Sequence, residues 1–412
     1  PPFLGLGWQD ALINMLIASL FAAAFNLLMG QGGMLSFGHA AYFGLGAFAV
    51  LHLMRAAEGG LPFPTPLLPA AGGLAGLIAG LGAGYFAAKR TGVYFSLVTL
   101  ALAELLHSLA PHWEGMFGGE AGLSSMRMPS AGLGFGSSLE VYYVALAWVV
   151  GSIALLYAYT RTPFGRLTLA LRDNEQRVRF MGYDPHATKV LIFGISGMFT
   201  GIAGGLMAMS SETANYNVFS THISAQVILH TFVGGSTLFL GPVLGASILT
   251  LFTFMVSELT RSWLLYQGLL FILVMLFVPN GIGGVIQAHI ANRHRLPWGR
   301  LALPYALSAA GAALAASGTV FMVQAAEHLF SQSYRAKITR SGQWDPFTLF
   351  GLSWDPLTLV TWLSPLTAFA LGVVILIKLR GPILRLWSEE CRAGNLPAIP
   401  AHGTVRPEEA KP

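Results

Sequence analysis

The chain has 412 residues, of which 54% are hydrophobic and only 10% charged, with a mean hydropathy of +0.62. A soluble domain carries about 25% charged residues to cover itself for water, so this composition excludes an ordinary soluble fold and makes lipid the solvent. A formal charge of +5 and a pI near 9.4 would suit nucleic acid, but the placement of the basic residues, given below, excludes that partner.

Long apolar runs occupy Ala11–Met29, Leu67–Ala88, Val141–Tyr159, Val190–Met209, Val243–Leu259 and Leu264–Val278. Each approaches the roughly 20 residues that a helix rising about 1.5 Å per residue needs to cross a hydrocarbon core. Alternation at period two is missing, which argues against a membrane β-barrel. The fold class is all-α and polytopic. In chain order the spans are read at 9–29, 34–54, 66–88, 92–111, 139–160, 187–209, 222–240, 242–260 and 263–279, with two more at 301–324 and 357–378.

Placing Lys89 and Arg90 inside puts 161–189, Arg293, Arg295, Arg300, Lys378, Arg380, Arg385 and the C-terminus inside too, 17 of the 23 Lys and Arg. Only Arg55, Arg127, Arg261, Arg335, Lys337 and Arg340 fall outside, as the positive-inside rule requires. The basic charge is therefore an orientation signal. Residue 1 lies outside in this topology, so one more helix entering from the cytoplasm is expected before it. The single cysteine, Cys391, excludes an intrachain disulfide.

Four stretches depart from lipid-facing filler. Gly30–Phe48 is dense in glycine and carries Ser36, Phe37, Gly38, His39, Tyr42 and Phe43 at membrane depth. Such backbone is tolerated in a bilayer only when buried in protein or lining a cavity, so it reads either as a translocation path or as tight helix packing with His39 bonded to a neighbour. Arg161–Lys189 is far more charged than its surroundings, and 165–180 reads as one short amphipathic helix at the membrane surface. It stops at Gly182, and Asp184 and Pro185 open the next helix. Its Arg172, Asp173, Asn174, Glu175, Arg177 and Arg179, with Tyr183, suit docking to a soluble partner or a plain solvated loop. Trp113–Ser130, with Gly118, Gly119, Glu120 and Gly122, would face a substrate or a delivery protein on the outer side, or simply connect two spans. Gly234–Ala246 repeats the small-residue spacing of the first stretch, a hint of an internal repeat.

Isolated ionisable groups inside spans are functional candidates by default. Glu104 and His107 lie one turn apart on the fourth span, with Thr99 below them. No metal-ligand spacing and no nucleophile–base pair is visible. None of the five lysines follows a glycine, so the chain lacks the Gly-Lys pair of a phosphate-gripping loop. ATP-driven work would need another subunit.

At these stretches the sequence resembles the LivM-type permeases of the branched-chain amino acid (hydrophobic amino acid, amide and urea) ABC transporter family. The matching motifs are GGMLSFGHAAYFGLGAF at Gly32–Phe48, GVYFSLVTLALAELL at Gly92–Leu106 and GGEAGLS at Gly118–Ser124. They continue with GRLTLALRDNEQRVRFMGYDPHATK at Gly165–Lys189, GGSTLFLGPVLGA at Gly234–Ala246 and LFVPNGIGG at Leu276–Gly284. The resemblance implies a permease core over 1–290 in a bacterial inner membrane, with a second, LivH-type permease, two cytoplasmic ATPases that bind the ATP and Mg, and a periplasmic binding protein. It implies that Arg172–Asp184 couples to an ATPase, so charge reversal at Arg172, Asp173 or Glu175 is expected to abolish uptake. Residues 295–412 have no counterpart in that core; 295–385 reads as a two-helix extension with a polar outer loop, 324–356, carrying an amphipathic segment, and 386–412 is expected to be a disordered cytoplasmic tail. The rival reading is a proton-coupled secondary transporter or channel in which Glu104 and His107 relay protons.

Overall fold

The structure is a computed structural model that describes residues 5–130, 134–294, 296–341, 344–349 and 351–392. The chain is a multi-pass helical membrane protein, and it divides into two compact units, Pro1–Gln287 and Ala288–Pro412.

In the first unit α1 (Leu6–Asn26) runs into a π-helical turn, Leu27–Gln31. An unwound stretch, 32–38, then leads to α2 (His39–Glu58). Next come α3 (Leu68–Ala87), α4 (Val93–Leu109), the single turn α5 (Glu114–Phe117) and the two-residue strand β1 (Leu123–Ser124). α6 (Ser138–Arg161) leads to the short α7 (Pro163–Asp173) and α8 (Glu175–Phe180), and α9 (Pro185–Ser211) crosses back. Strand β2 (Thr213–Ala214) pairs antiparallel with β1. The unit closes with α10 (Thr221–Gly234), α11 (Gly241–Ser257), α12 (Trp263–Phe277) and most of α13 (Gly281–Ala291).

α1, α2 and α9 form the buried centre, with Phe25, Tyr42, Phe48 and Phe193 fully enclosed. Lipid tails are as apolar as leucine side chains, so close backbone contact rather than apolarity must join these helices. The sequence supplies it: a Cβ at Gly76 of α3 would strike the Gly197 carbonyl of α9, and one at Gly46 of α2 the Gly201 carbonyl.

Among the described residues eight helices are long and apolar enough to cross a membrane, six of them in this unit. α12 and α13 together form a further candidate, bent by 48°. The spans expected at 222–240 and 242–260 are shorter than the sequence reading. α10 has 14 residues and α11 has 17, about 21 and 26 Å at 1.5 Å per residue, against a hydrocarbon core of about 30 Å. The chain leaves α10 at Gly235, whose φ of +100° suits glycine alone. Hydropathy counted the apolar Leu238–Leu240 into a span although the backbone turns there.

In the second unit α14 (Trp298–Phe330) pairs with α16 (Leu359–Arg392), Gly311 and Gly318 lying against Gly372 and Pro365. The stretch expected as a polar loop with an amphipathic segment, 324–356, holds more regular structure than a loop. It holds the last turns of α14, the amphipathic α15 (Gln332–Ser341) and a hairpin of β3 (Phe347–Leu349) and β4 (Leu352–Trp354). Phe321, Phe347 and Trp354 pack beneath the hairpin. A 2.8 Å ion pair and hydrogen bond to Asp345 hold the Lys337 ammonium above its ordinary range. α16 continues to Arg392, so the first part of the expected tail, 386–392, is helix; the rest, 393–412, lies outside the described residues.

Candidate functional site

The break between α1 and α2 is held by short side chains. The Phe37 N–H donates to Thr99 Oγ1 at 3.1 Å, Gly38 N–H to Ser36 Oγ at 3.3 Å, and Ser96 Oγ to the Leu35 carbonyl at 2.6 Å. Gly38 is required because a Cβ there would meet the Thr99 carbonyl of α4. His39 opens α2 and is buried. Ser196 Oγ donates to the Ala24 carbonyl at 2.6 Å, so at 2.9 Å it accepts from His39 Nε2–H. That assigns the tautomer and leaves Nδ1 as an unpartnered acceptor. His39 thus ties α1, α2 and α9 together. Tyr42 sits beside it, and Phe43 stacks on Phe21 at 5.0 Å. The second glycine-rich stretch meets the first here, since Asn26 Nδ2 donates to the Leu238 carbonyl at 3.4 Å and a Cβ at Gly30 would strike the Ser236 carbonyl.

Glu104 and His107 stand apart from that cluster on the partly open side of α4. Glu104 accepts a hydrogen bond from Thr221 at the start of α10, and its other oxygen lies 3.8 Å from His107 Nδ1.

The charged segment is two helices, not the single one expected at 165–180. Asn174, with φ −160°, leaves the helical region, and its Oδ1 accepts from Gln176 N–H and Arg177 N–H, capping α8. Two of the charges predicted to meet a partner are used within the chain. Arg172 donates to the Gly30 carbonyl at 2.6 Å, and Glu175 pairs at 2.7 Å with Lys189, which is buried. Asp173 lies 3.5 Å from Arg172. Asp184 caps α9 through His186 N–H, and Gly182 turns with φ +86°. The outward-facing groups include Asp173, Gln176, Arg177, Arg179 and an apolar trio, Phe180, Met181 and Tyr183, with Phe180 89% exposed. Phe180 and Met181 escaped the sequence reading, which followed charge; the available signal was apolar residues lying off the face of buried Val178.

At the other end of α6 the loop 113–130 is pinned by side chains that include three from α2. His52 Nε2–H donates to the Met116 carbonyl at 2.8 Å and Arg55 Nε–H to that of Ser124 at 3.3 Å. Glu58 accepts from Ser125 Oγ at 2.8 Å and from Met126 N–H, and Glu212 pairs with Arg127 at 2.9 Å. Gly118, Gly119, Glu120 and Gly122 line an open groove of about 620 Å³ together with Arg55 and Glu114. Among the described residues no group of three or more His, Cys, Asp or Glu is placed to hold a metal ion.

Unwound backbone at the centre of a polytopic bundle, mechanically joined to a charged segment on one face, is the construction of a membrane permease. The chain belongs to the family described as branched-chain amino acid transport system / permease component, whose model matches residues 9–279. It is 28% identical over 308 residues to the high-affinity branched-chain amino acid transport system permease protein LivM of Escherichia coli, covering 68% of this chain and 71% of that protein. The Salmonella typhimurium LivM matches to the same extent. The probable branched-chain amino acid transport permease protein LivH of Methanocaldococcus jannaschii is 24% identical over 294 residues, 67% of this chain and 91% of that one. No solved structure matches the chain. α14 and α16 lie beyond the residues that the family model matches.

Proposed function

We propose that the chain is the membrane-spanning permease subunit of an ATP-driven ABC importer for small, partly apolar solutes in a bacterial inner membrane. It works beside a second, LivH-type permease, two cytoplasmic ATPases that bind the ATP and Mg, and a periplasmic protein that delivers the solute. The observation carrying this reading is the bond from Arg172 to the Gly30 carbonyl. It joins the exposed segment to the turn where α1 unwinds, so a push on α7 and α8 reaches the one place where the central helices are already broken. The Glu175–Lys189 pair carries the same push to α9.

In this mechanism Phe180, Met181 and Tyr183 seat on an ATPase, ringed by Arg177 and Arg179. Closure of the ATPase pair displaces α7 and α8, and 30–38 shifts against Thr99 of α4 and the turn 235–240. The groove of Arg55, Glu114 and Gly118–Gly122 receives the binding protein on the outer face. Purification of the native complex, reconstitution and assay of uptake test the reading. Uptake that needs ATP, with two ATPases and a second permease in stoichiometric amounts, supports it. Uptake driven by a pH gradient with no ATPase bound overturns it in favour of a proton-coupled transporter using Glu104 and His107.

A further inference from the structure

In the second unit α15 and the β3–β4 hairpin cap one end of the α14–α16 pair. Arg300, Lys378 and Arg380 mark the other end, so the positive-inside rule puts the cap on the outer face. By the same rule outer segments avoid Lys and Arg. Yet Arg335, Lys337 and Arg340, three of the six basic residues read as outside, fall within α15, which holds no Asp or Glu.

Three of those six are used within the chain: Arg55 donates to the Ser124 carbonyl, Arg127 pairs with Glu212 and Lys337 with Asp345. Arg335 and Arg340 are exposed, and among the described residues neither makes an ion pair. Tyr334 holds the opposite face of the helix down, buried and with its hydroxyl donating to the Asp345 carbonyl at 2.7 Å. The free face of α15 is thus fixed in place, and it is basic. Its depth is that of lipid phosphate. Gln324 is the first amide or charged side chain after Arg300, and Phe330 lies six residues beyond it, about 9 Å along the helix. The headgroup layer is about 5–8 Å deep on each side, and an arginine stem reaches back into it. Phe330 is 69% exposed, Leu352 60% and Leu357 72%. In water these apolar groups would stand bare, whereas the boundary between acyl chains and headgroups covers them. Trp344 and Trp362, also exposed, are the amphipathic rings that collect at that boundary. The Arg335 guanidinium lies 5.0 Å from the centre of the Phe330 ring, at the rim between the apolar and the polar groups.

We propose that this face binds anionic phospholipid of the surrounding bilayer, with Arg335 and Arg340 donating to headgroup phosphates while Phe330, Trp344 and Leu357 lie against the acyl boundary. A guanidinium presents paired N–H donors that match phosphate oxygens. A zwitterionic headgroup carries its own ammonium beside the phosphate, so a headgroup of net negative charge is preferred. The proposal goes beyond the transport reading and does not depend on it, since every residue it uses lies after the matched residues 9–279.

The test is backbone hydrogen exchange over 332–341, read by mass spectrometry on the full chain in nanodiscs. One set of discs holds phosphatidylcholine alone and the other its equal mixture with phosphatidylglycerol. Exchange is expected to slow at least threefold in the anionic bilayer, and concentrated salt should cancel the slowing by screening. The slowing should vanish in the double variant Arg335→Gln, Arg340→Gln and persist in Arg335→Lys, Arg340→Lys. Both side chains are exposed, so the glutamine variant should exchange like the unmutated chain in phosphatidylcholine, which separates lost recognition from an unfolded α15. Equal exchange in the two bilayers, or slowing that survives the glutamine variant, overturns the proposal. So does slowing in phosphatidylcholine on addition of inorganic phosphate, which would make this a site for a free anion. Slowing there on addition of polyglutamate overturns it too, in favour of a docking face for an acidic protein.

Discussion

Tyr42 carries a buried hydroxyl with no hydrogen-bond partner, its ring held edge-on against His39 and Phe193. Replacing an unsatisfied hydroxyl by hydrogen removes a desolvation penalty and no bond, so Tyr42→Phe is expected to keep or raise thermal stability by about 1 kcal/mol. Ser196 is the opposite case. It both accepts from His39 and donates to Ala24, so Ser196→Ala leaves two buried groups unpaired and should cost about 1–3 kcal/mol. Thermal melting of the purified chain checks both. A Tyr42→Phe protein that melts normally but no longer transports would show the hydroxyl acting on the solute path instead. Neither role is legible in the sequence, because Ser196, the hydrogen-bond partner of His39, is 157 residues away on another helix.

At the scale of elements, the two short helices α7 and α8 separate a folding role from a docking role within one charged run. Glu175 neutralises Lys189, whose side chain is 7% exposed. Glu175→Arg would leave that cation buried beside a second one, so it is expected to lower subunit stability and remove uptake together. Arg177→Glu and Phe180→Asp change only outward-facing groups. They are expected to reduce ATP-driven uptake at least tenfold while the subunit melts normally, and co-purification with the ATPase should fall in parallel. Normal uptake in both would refute docking at this segment. A similar contrast holds for Gly44 of α2, where a Cβ would strike the Phe219 ring. Gly44→Leu should lower the melting temperature through overpacking of about 1–3 kcal/mol, whereas Leu at the open Gly82 should not. The glycine density at 30–48 and the charged segment were readable from the sequence, but the span expected at 34–54 begins only at His39, the residues before it being unwound. The division at Asn174 and the shortening of α10 were not readable. Hydropathy and charge sum side-chain character over a window, whereas these breaks depend on one φ angle each, at Asn174 and Gly235. The Arg172–Gly30 bond spans 142 residues and leaves no local trace.

On the scale of the whole chain, the family match ends at 279, and the helices beyond it pack by their own means. α14 and α16 approach through Gly311, Gly318 and Gly372, where added side chains would meet Ile375, Pro365 and Ala315 of the opposite helix. In a bilayer such close contact is the main force joining two helices, because exchanging lipid for leucine gains little. Gly318→Leu puts a branched side chain against the Pro365 carbonyl and the Phe369 backbone, so it should part the pair locally. Backbone hydrogen exchange, followed by mass spectrometry, is expected to rise across 301–377 and to stay unchanged across 9–279. ATP-driven uptake is expected to persist at near the unmutated rate, since every side chain assigned above to coupling or solute contact lies before 288. If uptake falls while exchange in 9–279 remains unchanged, the two added helices belong to the transport machinery, and the matched residues alone do not define the permease.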